Sequence, residues 1–192
     1  MNAEEKIAGY KSLDRQKFVS GDYSIVPIRM GDRYDIMQWR NEQIYHLRQK
    51  EKLTKEEQDH YFENVVSKLF EKDRPDQFLF SFLKNEKCIG YGGLVHINWA
   101  DHHAEISFIM DTSLEATDFK LNWSEYLSLI EVVAFKELKL HKIFVYAFDL
   151  RPHLYDVLRS CNYFLDAKLK EHCFFEGKFN DVVIYSKLNE VR

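Results

Sequence analysis

Residues 104–138 read AEISFIMDTSLEATDFKLNWSEYLSLIEVVAFKEL, and the rest of the chain is organised around them. Glu105 to Met110 are mostly apolar or β-branched, as expected of a buried strand. Further on, Tyr126, Ile130, Val133 and Glu137 share one helical line, and Leu127, Ile130 and Ala134 share another. A helix with so broad an apolar face packs one side on a sheet. Between strand and helix lies a polar connection of about ten residues, and the spacing predicts that the helix begins at Asn122, with Glu125 placed to complete a capping box. Such a turn sets unpaired backbone N–H groups and the positive end of the helix dipole beside a strand end, which is a site for a phosphate or another anion.

Working outward, the 192 residues suit one domain able to bury a core without staples. With 45% hydrophobic and 15% aromatic residues, and only 3 prolines and 7 glycines, the composition is that of an ordered globular chain. A net charge of −4, with Lys and Arg scattered rather than clustered on one stripe, gives no reason to expect a nucleic-acid partner. No apolar run is long enough for a membrane span, and MNAEEKIAGYKSLDRQK has neither a signal core nor transit character, so the expected location is the cytoplasm. Cys88, Cys161 and Cys173 lack any C-x-x-C spacing and read as reduced thiols rather than a zinc site.

Upstream, residues 1–20 form a polar extension, a short helix or arm, and residues 21–192 form the domain. YSIVPIRM reads as a first strand, DRYDIMQWRN as a short helix, and Thr54 with Glu57 as the capping box of a second helix. QFLFSFLK and KCIGYGGLVHINW, joined at Asn85 and Glu86, suit a hairpin, with Gly90, Gly92 and Gly93 marking a bulge or a close approach. Downstream come KIFVYAF as a strand, HLYDVLRSC as a helix, and DAKLKEHCFF with DVVIYSKL as an antiparallel pair. The predicted fold class is α/β (mixed α+β): one central mixed, mostly antiparallel twisted sheet of about seven strands with helices on both faces.

Four stretches, IVPIRMGDRYDIMQWRN, KCIGYGGLVHIN, AEISFIMD and VAFKELKLHKIFVYAF, together give the chain from Ser24 onward an order that resembles the GCN5-related N-acetyltransferase (GNAT) family. The resemblance implies acetyl-CoA as co-substrate, no metal, and transfer to a primary amine. It also implies a pyrophosphate loop of the form Q/R-x-x-G-x-G/A. That loop falls on Ala116 to Leu121, where both glycines and the leading polar residue are absent. Phe119 and Leu121 in place of glycine restrict close approach of the backbone. Lys120, Leu121, Asn122, Trp123 and Ser124 are the positions expected to meet the diphosphate, with Lys120 supplying charge. The backbone of Ile109 and Met110 matches the family's oxyanion donor at the splayed end of the central strand.

Amine acetylation needs a base for the attacking ammonium and an acid for the leaving thiolate. Glu105 stands where relatives carry a carboxylate base, and it reads equally as a salt-bridged strand-end glutamate. For the acid, Tyr155 lies one helical turn from the family position, which is Leu158 here, and reads also as a buried aromatic. Arg151 replaces the asparagine common at the start of that helix. His96, His102 and His103 gather near Glu105; their spacing suits a surface turn better than metal ligation, and His103 is a candidate for gripping the acceptor. On the acceptor side WRN resembles the members that acetylate nucleotide-linked amino sugars, so Arg40 would pair with phosphate while Asn41 and Tyr45 read hydroxyls. The resemblance leaves three functions open: acetylation of a small amino sugar or its nucleotide-linked form by direct attack, acetylation of a protein N-terminus or lysine, and a GNAT-fold binding module without turnover. Exposed edge strands in the family often pair into dimers, so the resemblance leaves a homodimer open.

Overall fold

The computed structural model describes residues 9–190 and contains one eight-stranded sheet in the order β1-β2-β3-β4-β5-β6-β8-β7. Strands β1 (Phe18–Ser20), β2 (Tyr23–Pro27), β3 (Phe78–Lys84), β4 (Lys87–Asn98) and β5 (His103–Met110) form an antiparallel meander. The β3–β4 hairpin turns at Asn85 and Glu86, both at positive φ (49° and 64°) as a tight two-residue turn requires. Helix α1 (Arg33–Glu42) and α2 (Lys55–Tyr61) lie between β2 and β3 in sequence. The α2 start carries the predicted capping box, with both reciprocal bonds between Thr54 and Glu57 formed. A π-helical turn, Phe62–Val66, joins α2 to the short α3 (Ser67–Phe70).

The chain then crosses from β5 to β6 (Lys142–Phe148) through α4 (Glu115–Glu131), and these two strands are the sheet's parallel pair. They pair only at His103–Lys142, Ala104–Ile143 and Glu105–Phe144. Beyond Glu105 they part, and that opening positions the site. Helix α5 (Pro152–Ser160) and the hairpin of β7 (Phe164–Phe175) and β8 (Lys178–Leu188) complete the fold, with β8 inserted between β6 and β7.

Helix α4 fits the sheet through aromatic contact: the Tyr126 ring stacks on Phe108 at 3.9 Å, and its hydroxyl donates to the Ser107 carbonyl at 3.1 Å. The strand glycines make this possible. A Cβ on Gly92 would lie 2.1 Å from the Ser107 oxygen and 2.6 Å from the Tyr126 hydroxyl, and one on Gly93 would lie 1.8 Å from the Phe78 oxygen. This is the close approach their positions in the sequence announced.

Two expectations change. The sheet has eight strands rather than about seven, because Phe18–Ser20 adds an edge strand from within the N-terminal extension. Tyr10 belongs to the core as well, its hydroxyl donating to the Leu79 carbonyl and accepting from the Leu79 N–H. Residues 1–8 of the expected helix or arm lie outside the described residues. The second change concerns α4, which begins at Glu115, seven positions before Asn122, directly after a 3-10 turn at Thr112–Leu114. The polar connection is therefore mostly helix.

Candidate active site

Strand alternation decides what faces the opening between β5 and β6. Ser107 and Glu105 pair with Gly93 and Val95 and share the face turned toward α1 and α2. The carbonyls of Ser107 and Ile109 point at β4, close to where Gly92 and Gly90 would carry a Cβ. The backbone groups of Ile106 and Phe108 therefore face the open edge, where no strand pairs with them. A groove of about 100 Å³ follows that edge, with Glu105, Phe108, Trp123, Tyr146, His46 and Arg151 among its walls.

Glu105 is only 6% exposed. Burial pushes its carboxyl above the usual carboxylate range, while the neighbouring Arg48 guanidinium and His96 pull the other way. Arg48 donates to one carboxylate oxygen, and His96 Nε2 lies 4.0 Å from the other. The same Arg48 covers the Tyr146 ring at 4.8 Å, so it spans the gap from β5 to β6 like a clasp. Both readings of Glu105 thus meet in one residue: it is salt-bridged, and it lies at the mouth of the groove.

On the other side of Ser107 a larger cavity of about 460 Å³ lies under α1 and α2. Ile28, Ile36, Leu53, Phe62, Val65 and Leu79 make its walls mainly apolar. Ser107 lines both spaces, so groove and cavity share it as a common wall.

Several expected site residues fall elsewhere. Arg40 borders the cavity, but it donates to Tyr91 at 2.5 Å and Gln49 at 2.9 Å and is spent inside the fold. Asn41 clasps the loop after α1 by bonding both the N–H and the carbonyl of Leu53. Tyr45 packs edge-on against His46, and His103 against Phe144, and neither lines the groove or the cavity. Tyr155 turns away from the groove to donate to Asp149 at 2.8 Å and stack on Tyr185; burial, then Asp149, raise its pKa far above the ordinary phenol. The phenol that lines the groove is Tyr146.

Ile109 and Met110 are buried beyond the groove, and Gln43 Nε2 closes over the Met110 carbonyl at 2.8 Å. Because α4 starts at Glu115, Lys120, Leu121, Asn122 and Ser124 sit inside the helix, where their N–H groups are committed to helical bonds. Asn122 is buried with both amide atoms unpartnered rather than acting as a cap, and Leu121 points outward. Of that group only Trp123 reaches the groove, as a wall. What occupies the start of α4 is acidic: Asp111, whose carboxylate accepts from the Ser113 N–H, then Glu115 and Asp118.

Sequence reasoning missed Arg48, His46 and Tyr146, and noted Arg151 only as a departure. Arg151 is 5% exposed and caps α5 from the groove wall, donating to Glu115 at 2.6 Å and to the His46 ring at 3.0 Å. Burial, then the Arg151 charge, lower the His46 pKa to about 3, so the ring is neutral at physiological pH and can accept that bond.

The Acetyltransferase (GNAT) domain family matches residues 25–184. The chain belongs to the GNAT acetyltransferases. A search of curated proteins returns no match. Among solved structures the GNAT fold recurs in the spermidine N-acetyltransferase from Vibrio cholerae in complex with CoA and spermine, at TM-score 0.75 and 18% identity, covering 88% of this chain and 97% of that one. A dodecameric form of the Vibrio cholerae enzyme aligns at TM-score 0.72 and 18% identity over 88% and 95% of the two chains. A putative acetyltransferase aligns at TM-score 0.71 and 15% identity over 92% and 88%. As a GNAT member the chain is an acetyl-CoA-dependent N-acetyltransferase, and among the described residues no His, Cys, Asp and Glu group is placed to hold a metal.

The two ends of the groove suit that co-substrate differently. The unpaired edge at Ile106 and Phe108 offers N–H and carbonyl groups to an extended, amide-bearing arm, which can add to β5 as a short strand would. Around the start of α4 there is no glycine, and the residues that stand there include Asp111, Glu115 and Asp118. The buried cation there is Arg151.

Proposed function

We propose that this GNAT chain acetylates the primary amine of a small acceptor with an apolar body, by direct attack on the thioester. One observation carries the reading: the mainly apolar cavity beneath α1 and α2 has Ser107 as a wall in common with the groove, next to Glu105 on the same face of β5. An amine seated in the cavity reaches the groove past Ser107. Glu105 takes the proton of its ammonium, a transfer favoured by the raised carboxyl pKa. Bound acetyl-CoA supplies the activated acyl carbon and the thiol leaving group. The Phe108 N–H on the open edge is the donor for charge developing on the carbonyl oxygen, and Tyr146 is the groove's phenol for protonating the thiolate. Among the described residues Ser107 has no histidine or carboxylate as hydrogen-bond partner, its carbonyl accepting from Tyr126 instead, so the residues favour direct attack over an acyl-enzyme.

An amino-sugar acceptor needs hydroxyl-reading groups, and Arg40 and Asn41 are already engaged within the fold. A polyamine, the class named for the Vibrio cholerae enzyme, carries several ammonium groups; the cavity wall has a single carboxylate, Glu57, which also serves the α2 capping box. The test is thiol release from acetyl-CoA with phenethylamine, tryptamine, spermidine and glucosamine. The arylalkylamines should show the highest kcat/KM. Preference for spermidine or glucosamine would overturn the apolar-acceptor reading, and silence on all amines, with no calorimetric acetyl-CoA binding, would favour the module without turnover.

A further inference from the structure

Glu115 and Arg151 lie at the converging N-termini of α4 and α5, helices of 17 and 9 residues. Helix starts carry partial positive charge and favour an anion. The anion now held there is internal: the Glu115 carboxylate, 2.6 Å from the Arg151 guanidinium. Arg151 has more donor capacity than this uses. Its second terminal nitrogen donates to the neutral His46 ring, its face lies over Phe119 at 5.1 Å, and its buried Nε–H has no acceptor. A buried guanidinium on the groove wall with an orphaned N–H has a donor left for an incoming anion, but a two-point seat on its fork is open only if Glu115 gives way.

We propose that Arg151 receives the diphosphate of the acyl donor in place of the missing glycine loop, and that Glu115 is its built-in competitor. This rests on the acetyl-CoA reading above and names the residues by which that site takes the phosphates. The planar fork suits phosphate oxygens as well as it suits a carboxylate. Binding therefore exchanges one anion for another on the same guanidinium, and Glu115 is displaced toward solvent, its side chain being already 23% exposed. Donor affinity is then set by the difference between two anions rather than by a vacant cradle.

Calorimetric titration of the full chain with CoA, and with pantetheine as a phosphate-free probe, tests this. Glu115→Gln removes the competitor's charge while keeping its size, and should tighten CoA by about tenfold. Arg151→Gln should weaken CoA by about tenfold or more, and the double variant, which leaves two neutral amides facing each other, covers the case in which Arg151→Gln fails to fold. Pantetheine should bind wild type and variants alike. Equal changes for both ligands would make the pair merely structural and overturn the proposal, as would weaker CoA binding by Glu115→Gln. Pantetheine binding with CoA affinity indifferent to both residues would overturn it while leaving the donor reading intact; loss of both ligands from wild type would bring down both.

Discussion

Replacing Arg48 with Gln should make the protein less stable and a better binder of its acceptor. Arg48 donates to Glu105, whose side chain is 8% exposed, while its own side chain is 48% exposed. A hydrogen bond to a buried charged group contributes about 1.5–3 kcal/mol, and the half-exposed guanidinium reduces that to about 1–2 kcal/mol. Lost contact with the Tyr146 ring adds roughly 0.5 kcal/mol. For a chain of this size, about 2 kcal/mol corresponds to a fall in Tm of roughly 4–8 °C. The acceptor ammonium, however, no longer has to displace the guanidinium from Glu105, so KM should fall by roughly five- to thirtyfold. The pH dependence has a fixed sign. Burial raises the folded Glu105 pKa, so ionising it costs stability as pH rises through that value; Arg48 opposes this cost only while Glu105 is charged. The stability gap between wild type and variant should therefore be full at neutral pH and close as pH falls below the folded pKa of Glu105. Thermal unfolding across pH and steady-state kinetics with a saturating donor provide the readouts. An unchanged or higher KM would show that Arg48 does not compete with the acceptor for Glu105.

Glu105→Gln should lower kcat by about 10²–10⁴-fold with little change in calorimetric CoA affinity, and retained turnover would remove the carboxylate from the base role. His46, neutral when folded with a pKa of about 3 against an ordinary value of 6.5, binds its proton more readily in the unfolded chain. Stability should accordingly fall as pH drops, by about 1 kcal/mol between roughly pH 6 and pH 5, and His46→Gln should remove that slope in urea unfolding. Gly93→Ala should cost about 3 kcal/mol or more, because its Cβ would lie 1.8 Å from the Phe78 carbonyl oxygen, a backbone atom of the paired strand. Lys120→Ala should leave CoA affinity unaltered, since Lys120 is exposed inside α4; a clear weakening would restore it to the phosphate site.

The parts of this fold that could be read from sequence are those set by local rules. Thr54 and Glu57 cap α2 because a capping box needs only four residues, and Asn85–Glu86 turns a hairpin because two residues suffice. Glu105 was legible by another route, because the family resemblance implies a carboxylate at the opening of this strand and the sequence supplies one there. Arg48 was not, since nothing near it in sequence says that a loop after α1 brings it 57 residues away onto β5. The start of α4 failed on the same ground. Thr117, Asp118 and Asn122 are weak helix formers, and Asn122 followed by Glu125 imitates a cap, so local propensity placed the boundary at Asn122. The structure starts the helix earlier, where a partner from 36 residues downstream, the buried Arg151, pairs with the half-buried Glu115 of the first turn. The lost glycines and the arginine in place of asparagine, two separate departures in the sequence, therefore meet at one point in space. At that point the first two turns of α4 carry no glycine, and the N-cap of α5 sets a buried guanidinium against the Glu115 carboxylate, so the charge balance there rests on side chains far apart in sequence rather than on a local motif.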